Sequence, residues 1–122
     1  MQKRYLYREH ITTVASSDTY NYLRSRQVPD GELAVLETIA YENETGARGT
    51  FRRYIERGSE IIFVAELQGP GAAELIFTDN PLTLLPGERL TIRQASCTAN
   101  DVLQLYLTGY RIFTTEPFLE VI

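Results

Sequence analysis

The residues that decide the fold are 84–113, which read LLPGERLTIRQASCTANDVLQLYLTGYRIF. Pro86-Gly87 predicts a tight turn, because proline presets φ at the first central position and glycine accepts a positive φ at the second. After this turn, and again from residue 103, apolar side chains alternate with polar ones, which is the period of a half-buried β-strand. We therefore predict a strand, a loop over 95–101 and a long central strand.

Two strands carry a more detailed pattern. In the last one the alternation changes parity at Gly109, after which Tyr110 and Ile112 carry the bulky side chains. A parity change at a glycine within a strand predicts a β-bulge. The strand over 33–42 is apolar on both sides, so we expect it to be central. Its predicted faces carry Leu33, Val35, Ile39 and Tyr41 on one side and Leu36 and Ala40 on the other.

Turn signals recur through the rest of the chain. Pro29-Asp30-Gly31 and Gly58-Ser59 bound predicted strands, and no long helical pattern appears. About eight short strands at this spacing predict an all-β fold, an antiparallel β-sandwich. The uneven strand lengths and the missing Cys…Trp…Cys framework favour a jelly-roll type over an immunoglobulin-like one.

Residues 1–27 leave alternatives open beside the predicted sandwich core of 28–122, within a single domain. The partial alternation over 4–14 fits either a first strand or an extended arm. Tyr20 and Tyr22 favour a short extended piece, and a helical turn capped by Ser17 or Asp18 is the alternative.

Few residues could serve as catalytic groups or metal ligands. His10 and Cys97 are the single histidine and the single cysteine, so neither an internal disulfide nor a multi-ligand Cys/His metal site can form. Asp79 and Asp101 lie in predicted turns that lack the several oxygen ligands of a calcium loop. We expect a protein that is not an enzyme and has no metal and no cofactor.

Charge is distributed in blocks around a net charge of -4. Residues 28–47 and 58–82 contain acidic but no basic side chains, whereas 48–57 contains four arginines and one glutamate. Such blocks could pair between adjacent strands of one sheet or form complementary surfaces between copies of the chain. The acidic total argues against a nucleic-acid partner, and no apolar run reaches the ~20 residues of a membrane span.

Aromatic, basic and apolar residues outside the predicted core suggest an interface. Arg52-Arg53, beside Phe51 and Tyr54, could protect a strand edge against unwanted pairing or contact an acidic partner surface. The apolar tail over 117–122 could dock on its own domain or insert into a neighbour. The candidate interface residues are Tyr5, Tyr7, Tyr20, Tyr22, Arg52, Arg53, Phe118, Leu119, Val121 and Ile122.

Three short motifs carry a family resemblance: LPGERL at 85–90, TANDVL at 98–103 and LTGY at 107–110. Their order resembles the C-terminal half of small jelly-roll virion proteins of tailed bacteriophages, and the segments 29–32 and 41–45 fit the same pattern. The resemblance implies a virion structural subunit, such as a head decoration or cement protein, often a homotrimer.

The resemblance also implies the partners and the location. The partners would be other copies of the chain and the major capsid protein or another virion protein. The location would be the virion, assembled in the host cytoplasm. The alternative is a carbohydrate- or receptor-binding β-sandwich module of a phage tail or neck.

Overall fold

The structure, a computed structural model, describes residues 3–16, 20–45, 50–68, 76–78, 81–95 and 98–114, with the backbone alone at 50, 63–68 and 76–78. These residues form nine β-strands. The strands are β1 (Arg4–Val14), β2 (Tyr20–Arg24), β3 (Glu32–Asn43), β4 (Thr50–Arg57), β5 (Glu60–Gln68), β6 (Ile76–Thr78), β7 (Leu82–Leu84), β8 (Glu88–Ala95) and β9 (Val102–Phe113).

The strands form two antiparallel sheets. The first has the order β1-β9-β3-β6, with β7 also paired to β3, and the second has the order β2-β8-β4-β5. The pairs are nested along the chain: β4 pairs with β5, β3 with β6 and β7, β2 with β8, and β1 with β9. The predicted all-β sandwich is therefore confirmed. The described part of the chain holds no helix, so none there could cross a membrane.

Residues 1–27 contribute one strand to each sheet. β1 pairs with β9 from Arg4 to Val14, and β2 pairs with β8 from Tyr20 to Arg24. Tyr20–Arg24 is extended, as the spacing of its two tyrosines predicts. Ser17 and Asp18 lie outside the described residues. The segment is thus an integral part of the sandwich and not an arm beside it.

The core lies between the sheets and draws on both. Tyr41 of the first sheet packs at 4.9 Å, ring centre to ring centre, against Phe51 of the second. The Tyr41 hydroxyl also donates a hydrogen bond of 2.6 Å to Gln94 Oε1, across the core. The other buried side chains of this core are Tyr7, Leu23, Val28, Ala34, Leu36, Ile39, Ile55, Leu84, Leu90, Ile92, Leu103, Leu105 and Leu107.

The predicted bulge is present in the β3–β9 pair, but it lies on β3. Gly109 faces Leu36 and Thr108 faces Thr38, so Glu37 is the extra residue. A Cβ built on Gly109 would lie 1.9 Å from the carbonyl oxygen of Val35. The glycine is required because the bulged backbone of the partner strand approaches it more closely than any side chain allows.

The bulge also corrects the predicted faces of β3. Ala34 and Leu36 enter the core before it, and Ile39 and Tyr41 enter after it. Leu33 and Val35 therefore lie on the face opposite to Ile39, because one extra residue reverses the alternation. β9 itself keeps a single alternation through Gly109.

Candidate docking face

The outer surface of the second sheet is built from alternate residues of β2, β8 and β4. Leu23, Leu90 and Ile92 enter the core, so their sequence neighbours point outward. The register places Arg93 between Tyr22 and Arg52. We call this surface the arginine–tyrosine face; its residues are Tyr20, Tyr22, Arg24, Arg52, Glu56, Arg89 and Arg93, and Tyr54 and Thr91 share this side of the sheet but are buried.

Two tyrosine rings of this face lie under guanidinium groups. Arg93 lies 4.4 Å from the ring centre of Tyr20, and Arg24 lies 4.6 Å from that of Tyr22. Both tyrosines remain exposed, at 51% and 39% of their surface. Cation–π contacts of this kind order the arginine side chains before any partner binds.

Glu56 is the acidic member of the face. Its carboxylate accepts a hydrogen bond of 2.9 Å from Arg24 Nε and one from the Thr91 hydroxyl, and it lies 3.5 Å from Arg89 Nε. Burial alone would raise the pKa of Glu56, but the bonds from Thr91 and Arg24 and the charge of Arg89 outweigh it and hold that pKa below its usual value. The carboxylate therefore stays ionised and holds the side chains of Arg24 and Arg89 in position.

The arginine–tyrosine face combines a positive charge excess with exposed aromatic surface. On β2, β8 and β4, four arginines stand against Glu56; Arg52 and Arg93 are direct cross-strand partners, and the register places Glu66 of β5 opposite Arg52. Like charges directly opposite one another disfavour a strand pair. This local excess lies on a chain whose net charge is -4, and it is complementary in charge to an acidic surface.

Arg52 and Arg53 separate onto opposite sides of β4. Arg53 lies opposite Ile92 on the inner side, its Nε is buried without a hydrogen-bond partner, and burial lowers its pKa. β4 lies between β8 and β5, so the pair does not protect a sheet edge. Of the two predicted arginines, Arg52 alone belongs to the face.

The remaining predicted interface residues are divided among other places. Tyr7 is only 6% exposed and belongs to the core, so it cannot contribute to an exposed patch. Tyr5 is 43% exposed, but on the first sheet, where its ring meets Phe113 edge-on at 5.1 Å. Phe118, Leu119, Val121 and Ile122 lie outside the described residues.

Sequence reasoning missed Arg24, Arg89 and Arg93. A signal for the last two was available, because Arg89 and Arg93 flank Leu90 and Ile92 at even spacing, which predicts a shared outward face. What joins them to Tyr20 and Tyr22 is the pairing of β2 with β8, two strands that are distant along the chain and whose register brings Tyr22 opposite Arg93.

A second polar surface lies on the outer side of the first sheet. Tyr106 donates a hydrogen bond of 2.9 Å to Glu42, and the amide of Gln104 donates one to Glu44. His10 stacks on Tyr106 with 4.6 Å between ring centres and 13° between planes. We call this surface, formed by His10, Thr12, Glu42, Glu44, Gln104 and Tyr106, the glutamate patch.

Hydrogen bonding in the glutamate patch fixes the orientation of its neutral groups. The Glu44 carboxylate can only accept, so the NH₂ of Gln104 faces it and Gln104 Oε1 faces the other way. That oxygen accepts bonds of 2.6 Å from the Thr12 hydroxyl and 2.5 Å from His10 Nε2. His10 therefore carries its proton on Nε2. Burial, aided by the bond to Glu42, raises the pKa of Tyr106.

The described residues bring no three His, Cys, Asp or Glu side chains together as a metal site. Asp101, considered above for calcium, accepts hydrogen bonds from Asn43 Nδ2 at 3.0 Å and from the Thr98 amide at 2.9 Å. Its carboxylate therefore holds the loop before β9 to the end of β3. Cys97 and Asp79 lie outside the described residues.

Comparisons with known protein families, with curated proteins and with solved structures found no match for this chain.

Proposed function

We propose that this chain is a non-enzymatic structural subunit that assembles through its arginine–tyrosine face, and that the assembly is a bacteriophage virion in which it acts as a head decoration or cement protein. The observation that carries the assembly part is the set of four arginines, two of them stacked on exposed tyrosines, on one sheet of an acidic chain. The virion part rests on the resemblance of residues 85–110 to small virion proteins. The nested strand pairing supports the jelly-roll type. In that fold the two halves of one long hairpin pair along their length, and the paired hairpin then folds into two sheets.

The chemistry of the face suits protein recognition. Arginine and tyrosine are enriched at interface centres, because they bury a large area and keep polar tips that can hydrogen-bond. The tyrosine rings are already covered by Arg93 and Arg24, which favours carboxylates over nucleic-acid bases that would need a bare ring to stack on.

A second copy of the chain offers such carboxylates. Glu42 and Glu44 lie in the glutamate patch, and no described cation lies within ion-pair distance of either. The arginine–tyrosine face of one copy against the glutamate patch of the next would form a head-to-tail contact, which closes into a ring when the rotation permits. Opposite charges would fix the register more than they add affinity.

Native mass spectrometry tests this proposal. The wild type should form a closed oligomer at low micromolar concentration, with the trimer expected from the resemblance. Arg52→Glu with Arg93→Glu should dissociate it, and so should Glu42→Lys with Glu44→Lys. Mixing the two charge-reversed proteins should restore association, because each keeps one native surface.

Glu60→Lys is the charge control, since Glu60 is the first residue of β5 and belongs to neither surface. A monomeric wild type, or a mixture that fails to associate, would contradict the head-to-tail contact. Binding of the wild type to a purified shell protein would then decide whether the face serves another acidic partner.

The carbohydrate-binding alternative requires an open aromatic platform. Tyr20 and Tyr22 lie under guanidinium groups, and His10 and Tyr106 lie face to face on each other. One face of each of these rings is therefore already occupied, which reduces the area available for stacking a sugar. Saturable binding on a glycan array, lost in Tyr20→Ala, would favour the alternative nonetheless.

A further inference from the structure

The first sheet ends in a long edge strand, β1, which pairs on one side only, with β9. At 11 residues β1 is the longest of the described edge strands. Its ladder with β9 runs without a register shift, and its sequence contains neither proline nor lysine. Bulges, prolines and lysines are common ways in which proteins block a sheet edge, and β1 has none of the three.

The connection between β2 and β3 runs alongside the free edge of β1 without pairing to it. Its backbone bonds go to β8, because the N–H groups of Ser25 and Val28 donate to the carbonyl oxygens of Leu90 and Glu88. The connection reaches β1 only through the Glu9 side chain, on the inner side of the strand. Within the described residues, no backbone hydrogen bond occupies the free edge of β1.

A cavity of about 300 Å³ follows the same edge. Leu6 and Arg8 line it from the outer side of β1, and Tyr7 and Glu9 line it from the inner side. Side chains from opposite sides of one strand border a common space where the edge of that strand lies between them. The edge is therefore open over residues 6–9.

The outer side chains of β1 are self-complementary about His10. Leu6 and Val14 are exposed aliphatic side chains, at 67% and 56%, and they lie equally far along the strand from His10. When two copies of β1 pair antiparallel with His10 at the centre, Leu6 of each copy lies opposite Val14 of the other. Directly opposite residues share a face of the sheet and contact each other, so both aliphatic side chains gain an apolar neighbour.

The charged residues of β1 favour the same register. A pair centred at Arg8 would place two arginines directly opposite each other, and a pair centred at Glu9 would do the same with two glutamates. Like charges in these positions disfavour a strand pair. The register centred at His10 places Arg8 opposite Thr12 and Glu9 opposite Ile11, so no like charges face each other.

We propose that the free edge of β1 pairs with the same edge of a second copy, antiparallel, about a two-fold axis at His10. The contact is isologous and joins the first sheets of two copies into one continuous sheet, as in strand addition. It goes beyond the head-to-tail contact and leaves that contact possible, because β9 lies between this edge and the strand that carries Glu42.

The size of the contact sets its strength. One strand edge buries less area than a stable interface does, so we expect a Kd on the order of 0.1 mM. The edge contact should therefore be sparsely populated at low micromolar concentration. It should form when another contact already holds copies of the chain close together, because the effective concentration is then high.

Disulfide cross-linking tests the pairing, in a Cys97→Ser background that carries Arg52→Glu and Arg93→Glu to remove the head-to-tail contact. Directly opposite residues have Cα atoms about 4.5–5.5 Å apart, which a disulfide can span. A mixture of Leu6→Cys and Val14→Cys proteins, in a glutathione redox buffer near the expected Kd, should form the mixed disulfide dimer. Either protein alone should not, because its two cysteines would lie about 27 Å apart in the pair.

Charge exchange in the same background gives a second test by sedimentation equilibrium. Leu6→Glu alone or Val14→Lys alone should raise the dimer Kd about 10-fold or more, because each places a charge opposite an aliphatic side chain. Both side chains are exposed, so these variants should fold. The two substitutions in one chain should restore dimerisation, since each new glutamate then faces a new lysine. Ile61→Glu is the matched control, because Ile61 is equally exposed, at 61%, but lies on β5 of the other sheet.

Three results would overturn the edge contact: no more disulfide dimer in the mixture than in either protein alone, equal weakening by Leu6→Glu and Ile61→Glu, or no recovery in the double variant. The background cannot form the head-to-tail contact, so these results do not depend on the oligomer measured for the arginine–tyrosine face. The two proposals therefore fail separately.

Discussion

The two outer surfaces of the sandwich hold their carboxylates in different ways. On the arginine–tyrosine face, Glu56 is held by the charged group of Arg24 at 2.9 Å. In the glutamate patch, Glu42 is held by the neutral hydroxyl of Tyr106, also at 2.9 Å. The Arg24 guanidinium therefore neutralises part of the negative charge on the arginine–tyrosine face. The Tyr106 hydroxyl is neutral, so the glutamate patch keeps its full negative charge.

The difference between the surfaces follows from the order of strands. The acidic block 28–47 forms β3 and the basic block 48–57 forms β4, which lie in different sheets. These blocks therefore do not pair side by side. The acidic block 58–82 begins with β5, which does pair with β4 and brings Glu60 opposite Arg57. The basic block thus pairs within a sheet with the acidic block that follows it, and not with the acidic block that precedes it.

The largest expected effect comes from Gly109→Ala, which would break the strand pair beneath the glutamate patch. The new methyl group would meet the Val35 carbonyl oxygen, so we expect a loss of about 3 kcal/mol or more in the free energy of unfolding. Urea denaturation measures it. Gly58→Ala is the control: its φ is +57° with no atom within 4 Å, and about 1 kcal/mol is expected. Equal losses would show that backbone conformation, and not the bulge, explains Gly109.

A smaller effect is expected for Tyr41→Phe, which removes a contact joining the two sheets. Gln94 Oε1 would lose the hydroxyl that donates to it in the core. Loss of this buried hydrogen bond should cost about 1 kcal/mol, measurable by the same denaturation. An unchanged midpoint would mean that Gln94 finds another donor and that the sheets are coupled by apolar contact alone.

Glu56→Gln should lower the free energy of unfolding by an amount that depends on pH. The pKa of Glu56 is lowered in the folded chain, so its stabilisation is fully present above the unfolded pKa of ~4.3 and is lost as pH falls through the folded pKa. We expect a deficit of about 1 kcal/mol or less at pH 7, since its arginine partners are partly exposed. The deficit should shrink below pH 4. A pH-independent deficit would assign the effect to the lost Thr91 bond.

The smallest effect is expected for Tyr106→Phe in the glutamate patch, at about 0.5–1 kcal/mol for one hydrogen bond to a partly exposed carboxylate. Because the donor is neutral, added NaCl should change this loss little, whereas the loss in Glu56→Gln should decrease as ions screen the arginines. Thermal unfolding at low and high salt compares the two. A similar salt response in both variants would remove the distinction between the surfaces.

The candidate face could be predicted only in part. Tyr20, Tyr22 and Arg52 lie on it, whereas Arg53 and Tyr7 point inward. The error at Arg53 has a simple cause: consecutive residues of a strand face opposite sides, so Arg52 and Arg53 could not both serve one surface.

The sequence alone determined the β period, the turn at Pro86-Gly87, the all-β sandwich and the presence of a bulge near Gly109. These follow from local rules, since alternation and turn chemistry act over a few residues. Only the tertiary structure decided that the bulge belongs to β3, that β3 and β4 carry their opposite charges to opposite faces, and that Arg93 lies between Tyr22 and Arg52. Each of these depends on which distant strands pair and in what register, and a side chain's face changes with a shift of one residue.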